Sequence, residues 1–286
     1  GQDEEGYSDG RTQRGGCEEH RRIYDRREGD RCPLSCIRYN SPGACIRDNN
    51  KGWCDLKAII AGTGIDRDPR FCEGIVKAET AYGDAFYSEH DGIIFIPRHL
   101  PGHKTAPHKI NYRANVELLR MLGVDGVISI YAVGSITRKL APASFGLVRD
   151  FIDLTYGREN TFFDDAVRHT PMINPFDITL KAKFASEAIK EGIPMGYETI
   201  YITTQGPRLE TAAEINAYRH MGADIVGMTL ATEAELLKEA GIPNAAVAFS
   251  INWAAGLDME GVSFLEDESI ERIASRIMKI ALRALS

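Results

Sequence analysis

The chain has 286 residues, 43% hydrophobic and 26% charged, with a formal net charge of −7. That length allows one or two domains with a sizeable core, and no apolar run approaches the roughly 18 residues of a membrane span. The acidic balance argues against nucleic acid as the main partner but leaves a local anion site open. No basic stretch followed by an apolar one opens the chain, so the expectation is a cytoplasmic protein that contacts neither nucleic acid nor membrane.

Residues 1–55 differ from the rest. They hold five of the six cysteines, Cys17, Cys32, Cys36, Cys45 and Cys54, and nine arginines. Aliphatic residues are few and neither helical nor strand periodicity is present, so the segment reads as a solvated extension without regular structure. The cysteine spacings fit no usual zinc pattern, and an odd count weakens a disulfide framework; a metal-binding or disulfide module is the second reading. A third is that the segment is not native, Leu56 serving as an alternative start. The domain expected to fold is 56–286.

From Leu56 the pattern is that of an α/β domain. Leu56–Ala61 is a short apolar run ending in Gly62-Thr63-Gly64, a buried strand followed by a tight turn. Gly92–Pro97 is a second strand and delivers Arg98 and His99 at its end. Asn111–Leu122 has helical spacing. Gly126–Val133 is a strand closed by Gly134-Ser135. Leu180–Glu191 is a helix stopped by Gly192, and Thr199–Thr204 a strand. Thr211–Met221 is a helix whose Thr211 and Glu214 have capping-box spacing. Ile225–Met228 is a strand with Thr229 at its tip, Thr232–Ala240 a helix, Ala245–Ile251 a strand ending at Asn252, and Ser269–Leu285 an amphipathic helix. The alternation predicts a single mixed sheet flanked by helices, with ligands bound beyond the carboxyl ends of its strands.

Several residues at those ends suit an anion and a heterocycle. Gly62-Thr63-Gly64 offers backbone N–H groups and a hydroxyl, although glycines also occupy such turns for steric reasons alone. It is not a dinucleotide fingerprint, because Arg67 stands where a third glycine would be needed. Arg98 brings a planar fork suited to phosphate oxygens and His99 a neighbouring imidazole; the bland alternative is a surface salt bridge beside a satisfied histidine. Glu210, before a helix, either favours the dipole or accepts hydrogen bonds from a ligand. Asn252 either caps a turn or bonds a heterocycle through both its donor and its acceptor. Met228 is as easily core as site.

Taken together, Ala61-Gly62-Thr63-Gly64, Pro97-Arg98-His99, Asn111-Tyr112-Arg113-Ala114-Asn115, Ala132-Val133-Gly134-Ser135, Gly206-Pro207-Arg208-Leu209-Glu210-Thr211 and Gly222–Thr229 resemble the trimeric purine nucleoside phosphorylase and methylthioadenosine phosphorylase family. The resemblance spans about 56–286 and implies the nucleoside phosphorylase fold. It implies phosphorolysis in purine salvage: a purine nucleoside and orthophosphate give the free purine and a pentose 1-phosphate. Orthophosphate would be a co-substrate and no cofactor or metal would be needed. Carried over by position, Thr63, Arg98, His99, Thr229 and the backbone of Ala132 would bind phosphate, with His99 and Asn252 as the catalytic residues. Met228 would pack on the ribose, and Asn252, Glu210, Leu209, Trp253 and Ala254 would surround the base. His169 would reach the 5′ substituent across a subunit boundary, which implies a homo-oligomer, a trimer or a dimer of trimers. Three positions depart from the family: Tyr131 replaces a small polar residue, Thr232 a proline, and Leu209 a phenylalanine that often stacks on the base.

Members that cleave methylthioadenosine resemble one another in having Asp at the position of Asn252. A 6-oxopurine presents O6 as acceptor and N1–H as donor, so an amide and a carboxylate match inosine or guanosine. Gly157-Arg158-Glu159-Asn160-Thr161-Phe162-Phe163 resembles members that cleave methylthioinosine, which keeps methylthioinosine, with methylthioadenosine behind it, as the alternative substrate. A third reading is a purine- or phosphate-binding sensor without turnover.

Overall fold

A computed structural model describes residues 56–286 except Pro101, Gly196, Tyr197, Met259 and Glu260; the readings made on residues 1–55 lie outside it. The strands are β1 (Leu56–Ala61), β2 (Val76–Thr80), β3 (Gly83–His90), β4 (Ile93–Pro97), β5 (Val124–Ser135), β6 (Phe145–Asp153), β7 (Thr199–Thr203), β8 (Ile225–Gly227) and β9 (Asn244–Trp253). The helices are α1 (Tyr112–Leu122), α2 (Ile178–Lys190), α3 (Ala212–His220), α4 (Leu230–Glu239) and α5 (Asp267–Leu285).

Among the described residues the nine strands form one mixed sheet in the order β2-β3-β4-β1-β5-β8-β7-β6-β9, with β5 also pairing β9. The strands β5, β8, β7, β6 and β9 therefore close on themselves, while β1, β4, β3 and β2 extend outward from β5. β5 pairs parallel with β1 and β9, and its last residues, Gly134 and Ser135, pair antiparallel with β8. Period-two alternation in β1 sends Ile59 and Ala61 to one face, packed with α2 and α5. It sends Ala58 and Ile60 to the other, packed with α1 and α4.

The expected elements are present, with shifted ends. β5 does not stop before Gly134-Ser135, because pairing with β8 carries it through. α4 begins at Leu230 rather than Thr232, and β9 includes Asn252 and Trp253. The capping box of Thr211 and Glu214 is formed on both sides. The strands β2, β3 and β6 had no counterpart in the sequence reading. β2 and β3 form an outer hairpin with mostly exposed or half-buried positions, and β6 carries a register shift between Val148 and Asp150 that breaks its alternation.

Candidate active site

Register brings the site together. Ala61 pairs with Pro97 at the ends of β1 and β4, and the Arg98 N–H bonds the Ala61 carbonyl at 2.8 Å. The Gly62-Thr63-Gly64 turn thus lies against Arg98 and His99. A Cβ on Gly62 would stand 2.7 Å from His99 Cδ2 and 3.3 Å from Arg98 Nη1, so close approach of the two side chains to the backbone requires glycine here. On the other side of β1, β5 contributes Ala132 and Gly134, and Gly134 pairs with Asn252 of β9. These ends, with residues 226–229 after and within β8 and residues 207–210, enclose a cleft of about 300 Å³.

The cleft brings together Thr63, Arg98, His99, Ala132, Leu209, Glu210, Met228, Thr229, Asn252 and Ala254. Trp253 is not among them. Alternation in β9 turns it away from the face of Asn252, and it lines a separate surface hollow with Arg138 and Arg219. His169 is exposed on the 154–176 segment and does not line the cleft.

Arg98 is 2% exposed and almost fully bonded. Nε and Nη2 form a fork on the Glu233 carboxylate at 2.6 and 2.9 Å, Nη2 also points at the Ile60 carbonyl at 3.4 Å, and Nη1 bonds the Ile130 carbonyl at 2.9 Å. Tyr131 donates its hydroxyl to Glu233 at 2.8 Å, and its ring lies 4.4 Å from the guanidinium carbon. The salt bridge is therefore real but buried, which corrects the surface alternative. A guanidinium has five N–H groups, and one, on Nη1 beside Gly62, remains for a ligand. Tyr131 does not line the cleft: it is buried in an apolar cluster with Val133 and Tyr201, its hydroxyl held by Glu233. The buried pair leaves little net charge, so its effect on a ligand is directional.

His99 Nδ1 lies 2.8 Å from the Thr105 carbonyl. A carbonyl only accepts, so Nδ1 carries the proton. Burial, with Arg98 and His103 adding to it, holds the imidazole down at about 4. At neutral pH Nε2 is thus a bare lone pair directed toward the Gly62 turn. His103 stacks on His99 with centroids 4.3 Å apart and is held by Asp66 at 2.7 Å.

Thr229 is the N-cap residue of α4, yet its side chain makes no capping bond. Thr203 Oγ1 accepts from the Ala231 N–H at 3.1 Å instead, and Thr229 lines the cleft beside the buried Tyr201 hydroxyl, at the positive end of the helix. Glu210 accepts from Thr204 Oγ1 at 2.7 Å through one carboxylate oxygen. Asn252, 7% exposed, gives one amide hydrogen to the Trp253 carbonyl at 2.7 Å. Its second hydrogen and its Oδ1 remain. The arrangement can hold a tetrahedral anion between Thr63, Arg98, His99 and Thr229 while Asn252 and Glu210 read the edge of a planar ring.

Several cleft residues have no counterpart in the sequence reading: Lys104, Thr105, Val262 and Phe264. Phe264 is 53% exposed and sits on a loop without periodicity. Glu233 left a trace, an acid on the apolar Leu230, Ala234 and Leu237 face of a helix.

The phosphorylase superfamily profile matches residues 58–286. The chain belongs to that family. Among relatives of this phosphorylase, the 6-oxopurine nucleoside phosphorylase of Pyrococcus furiosus is 35% identical over 80% of this chain and 91% of its own. The probable S-methyl-5′-thioinosine phosphorylase of Thermodesulfovibrio yellowstonii is 34% identical over 75% and 90%. The methylthioadenosine phosphorylase of Schistosoma mansoni, solved with adenine, superposes with a TM-score of 0.71 at 28% identity, covering 80% of this phosphorylase and 90% of that chain.

Proposed function

We propose that this phosphorylase cleaves 6-oxopurine nucleosides, inosine and guanosine, with orthophosphate as co-substrate, giving the free purine and a pentose 1-phosphate. That it is a purine nucleoside phosphorylase rests on its family and on relatives so named. The choice of base rests on one observation: an amide and a carboxylate, Asn252 and Glu210, share the cleft that Thr63, His99 and Arg98 also line. Glu210 accepts from N1–H. The free Asn252 hydrogen goes to O6, and its Oδ1 accepts from N7–H as the base departs.

The C1′–N9 bond breaks with its electron pair going to the purine, and the sugar becomes oxocarbenium-like, as in other glycosyl transfers. Phosphate, held beneath C1′ by Thr63, Thr229 and the remaining Arg98 N–H, stabilises that cation and closes the new C1′–O bond; the P–OH proton of hydrogen phosphate is released as that bond forms, and one proton is taken up at N7 of the departing purine, so the exchange balances. The decisive measurement is purine release from inosine, guanosine, methylthioinosine and methylthioadenosine, each with and without phosphate. Phosphate-dependent release fastest from inosine or guanosine supports the proposal, and ligand binding without turnover supports a sensor. Fastest release from methylthioinosine supports the second reading, which the apolar Val262, Phe264 and Leu209 around the cleft favour.

Asn252→Asp exchanges the O6 donor for an acceptor suited to a 6-amino group. We expect the kcat/KM ratio of inosine to adenosine to fall by about 100-fold or more, because the mismatched pair leaves buried polar groups unbonded. An unchanged ratio overturns the assignment of Asn252.

A further inference from the structure

We infer that Arg158, on the segment after β6 and outside the cleft, is a positioning residue that clips the phosphate and sugar side of the site to its base-reading side. The inference rests on the phosphorolysis proposed above, and it is carried by the way this guanidinium spends its donors. Nη1 bonds the Met228 carbonyl at 2.8 Å and reaches the Tyr112 and Thr232 hydroxyls at 3.4 and 3.5 Å. Nη2 bonds the Gln205 carbonyl at 2.8 Å and points at the Thr204 carbonyl at 3.3 Å, and Nε bonds Gln205 Oε1 at 3.2 Å. Each of these hydrogen bonds ends on a neutral oxygen. The planar fork is therefore directed at backbone where two neighbouring strands, β7 and β8, run out of ladder partners.

Those two strand ends lead to the two halves of the site. Met228 directly precedes Thr229, and both line the cleft. Gln205 opens the run to Glu210. The two runs already touch: Gly206 has φ +63°, and a Cβ there would stand 2.5 Å from Met228 Sδ. Van der Waals contact sets how near they come, and Arg158 sets how they are directed, holding the Met228 and Gln205 carbonyls with one rigid plane. Lysine, a single point donor, cannot span both carbonyls.

A positioning role has a signature that a structural one lacks. If Arg158 only stabilises the fold, its loss lowers the melting temperature and the amount of active enzyme but leaves the KM for phosphate and the preference among bases alone. If it registers the two runs, both of those move together. In Arg158→Ala we expect the phosphate KM to rise roughly tenfold or more, and the inosine-to-adenosine ratio of kcat/KM to drop by a similar factor. Arg158→Lys is expected to share both changes. Added guanidinium, at concentrations well below denaturing ones, should restore part of the lost activity in Arg158→Ala, and methylammonium should not. Phosphate KM and base preference within about threefold of wild type in Arg158→Ala would overturn the inference, whatever happens to the melting temperature. Should Arg158→Ala not fold, Arg158→Lys decides on the same two readouts. Absence of phosphorolysis in the wild type strikes the function proposed above instead.

Discussion

His99 shows how one short contact decides a residue's chemistry. Its bond to the Thr105 carbonyl places the proton on Nδ1, and burial beside Arg98 keeps the ring neutral down to about pH 4. The unfolded chain takes up a proton near 6.5 and the folded chain does not, so this group's contribution is complete above the unfolded value and is lost as pH falls from 6.5 toward 4. The loss approaches ~3 kcal/mol at the low end. Denaturant unfolding of wild type and His99→Gln across that range should show a steeper acid loss in the wild type; parallel curves would remove His99 as the cause. The bare Nε2 also predicts a preference among anions. Phosphate and arsenate carry a P–OH or As–OH proton that it can accept, and sulfate carries none. Competition binding at neutral pH should therefore favour phosphate over sulfate by about tenfold or more. At this scale the sequence announced Arg98 and His99, because a cation and an imidazole stood together at a strand end. It did not announce that Arg98 is neutralised by Glu233, a partner 135 positions away; pairing over that distance is a product of topology.

Elements divide labour in a similar way. The first turn of α4 is served by Thr203, on β7, and the N-cap Thr229 lines the cleft without capping its own helix. Thr203→Val removes that acceptor. The expected result is a stability loss of about 1 kcal/mol together with a higher phosphate KM, because the Thr229 hydroxyl turns back to cap its own helix. Thr211→Ala is the control. Its box with Glu214 lies on the surface, so it should cost similar stability and leave the phosphate KM unchanged. If both variants behave alike, Thr203 has no part in presenting Thr229. Elements with a clean period or a cap, such as α1, α5 and the buried strands, were legible from the sequence. The hairpin of β2 and β3 was not, because it buries too little apolar surface for its alternation to stand out. β6 was hidden by the shift at Val148, since a bulge moves the side chains after it to the other face.

At the scale of the whole molecule, the cleft holds the residues proposed for the base and the anion but not His169. That imidazole lies on a segment that also carries exposed apolar side chains, with Val167 91%, Ile173 84% and Tyr156 74% exposed. Large apolar side chains so fully solvated along one segment are the composition of a face that another chain covers. Resemblance to oligomeric phosphorylases gives the same expectation, with a second copy of this chain as the cover and its His169 reaching the 5′ end of the nucleoside. Sedimentation velocity should find a species larger than the monomer, and Val167→Asp combined with Ile173→Asp should shift it toward monomer. Both positions are outside the proposed phosphate cradle, so the dissociated protein should keep its affinity for phosphate while the KM for nucleoside rises. His169→Ala, in the intact assembly, should reproduce that rise without dissociation. A wild-type monomer whose specific activity is independent of concentration would show that one chain holds a complete site, and His169 would then have no role in it.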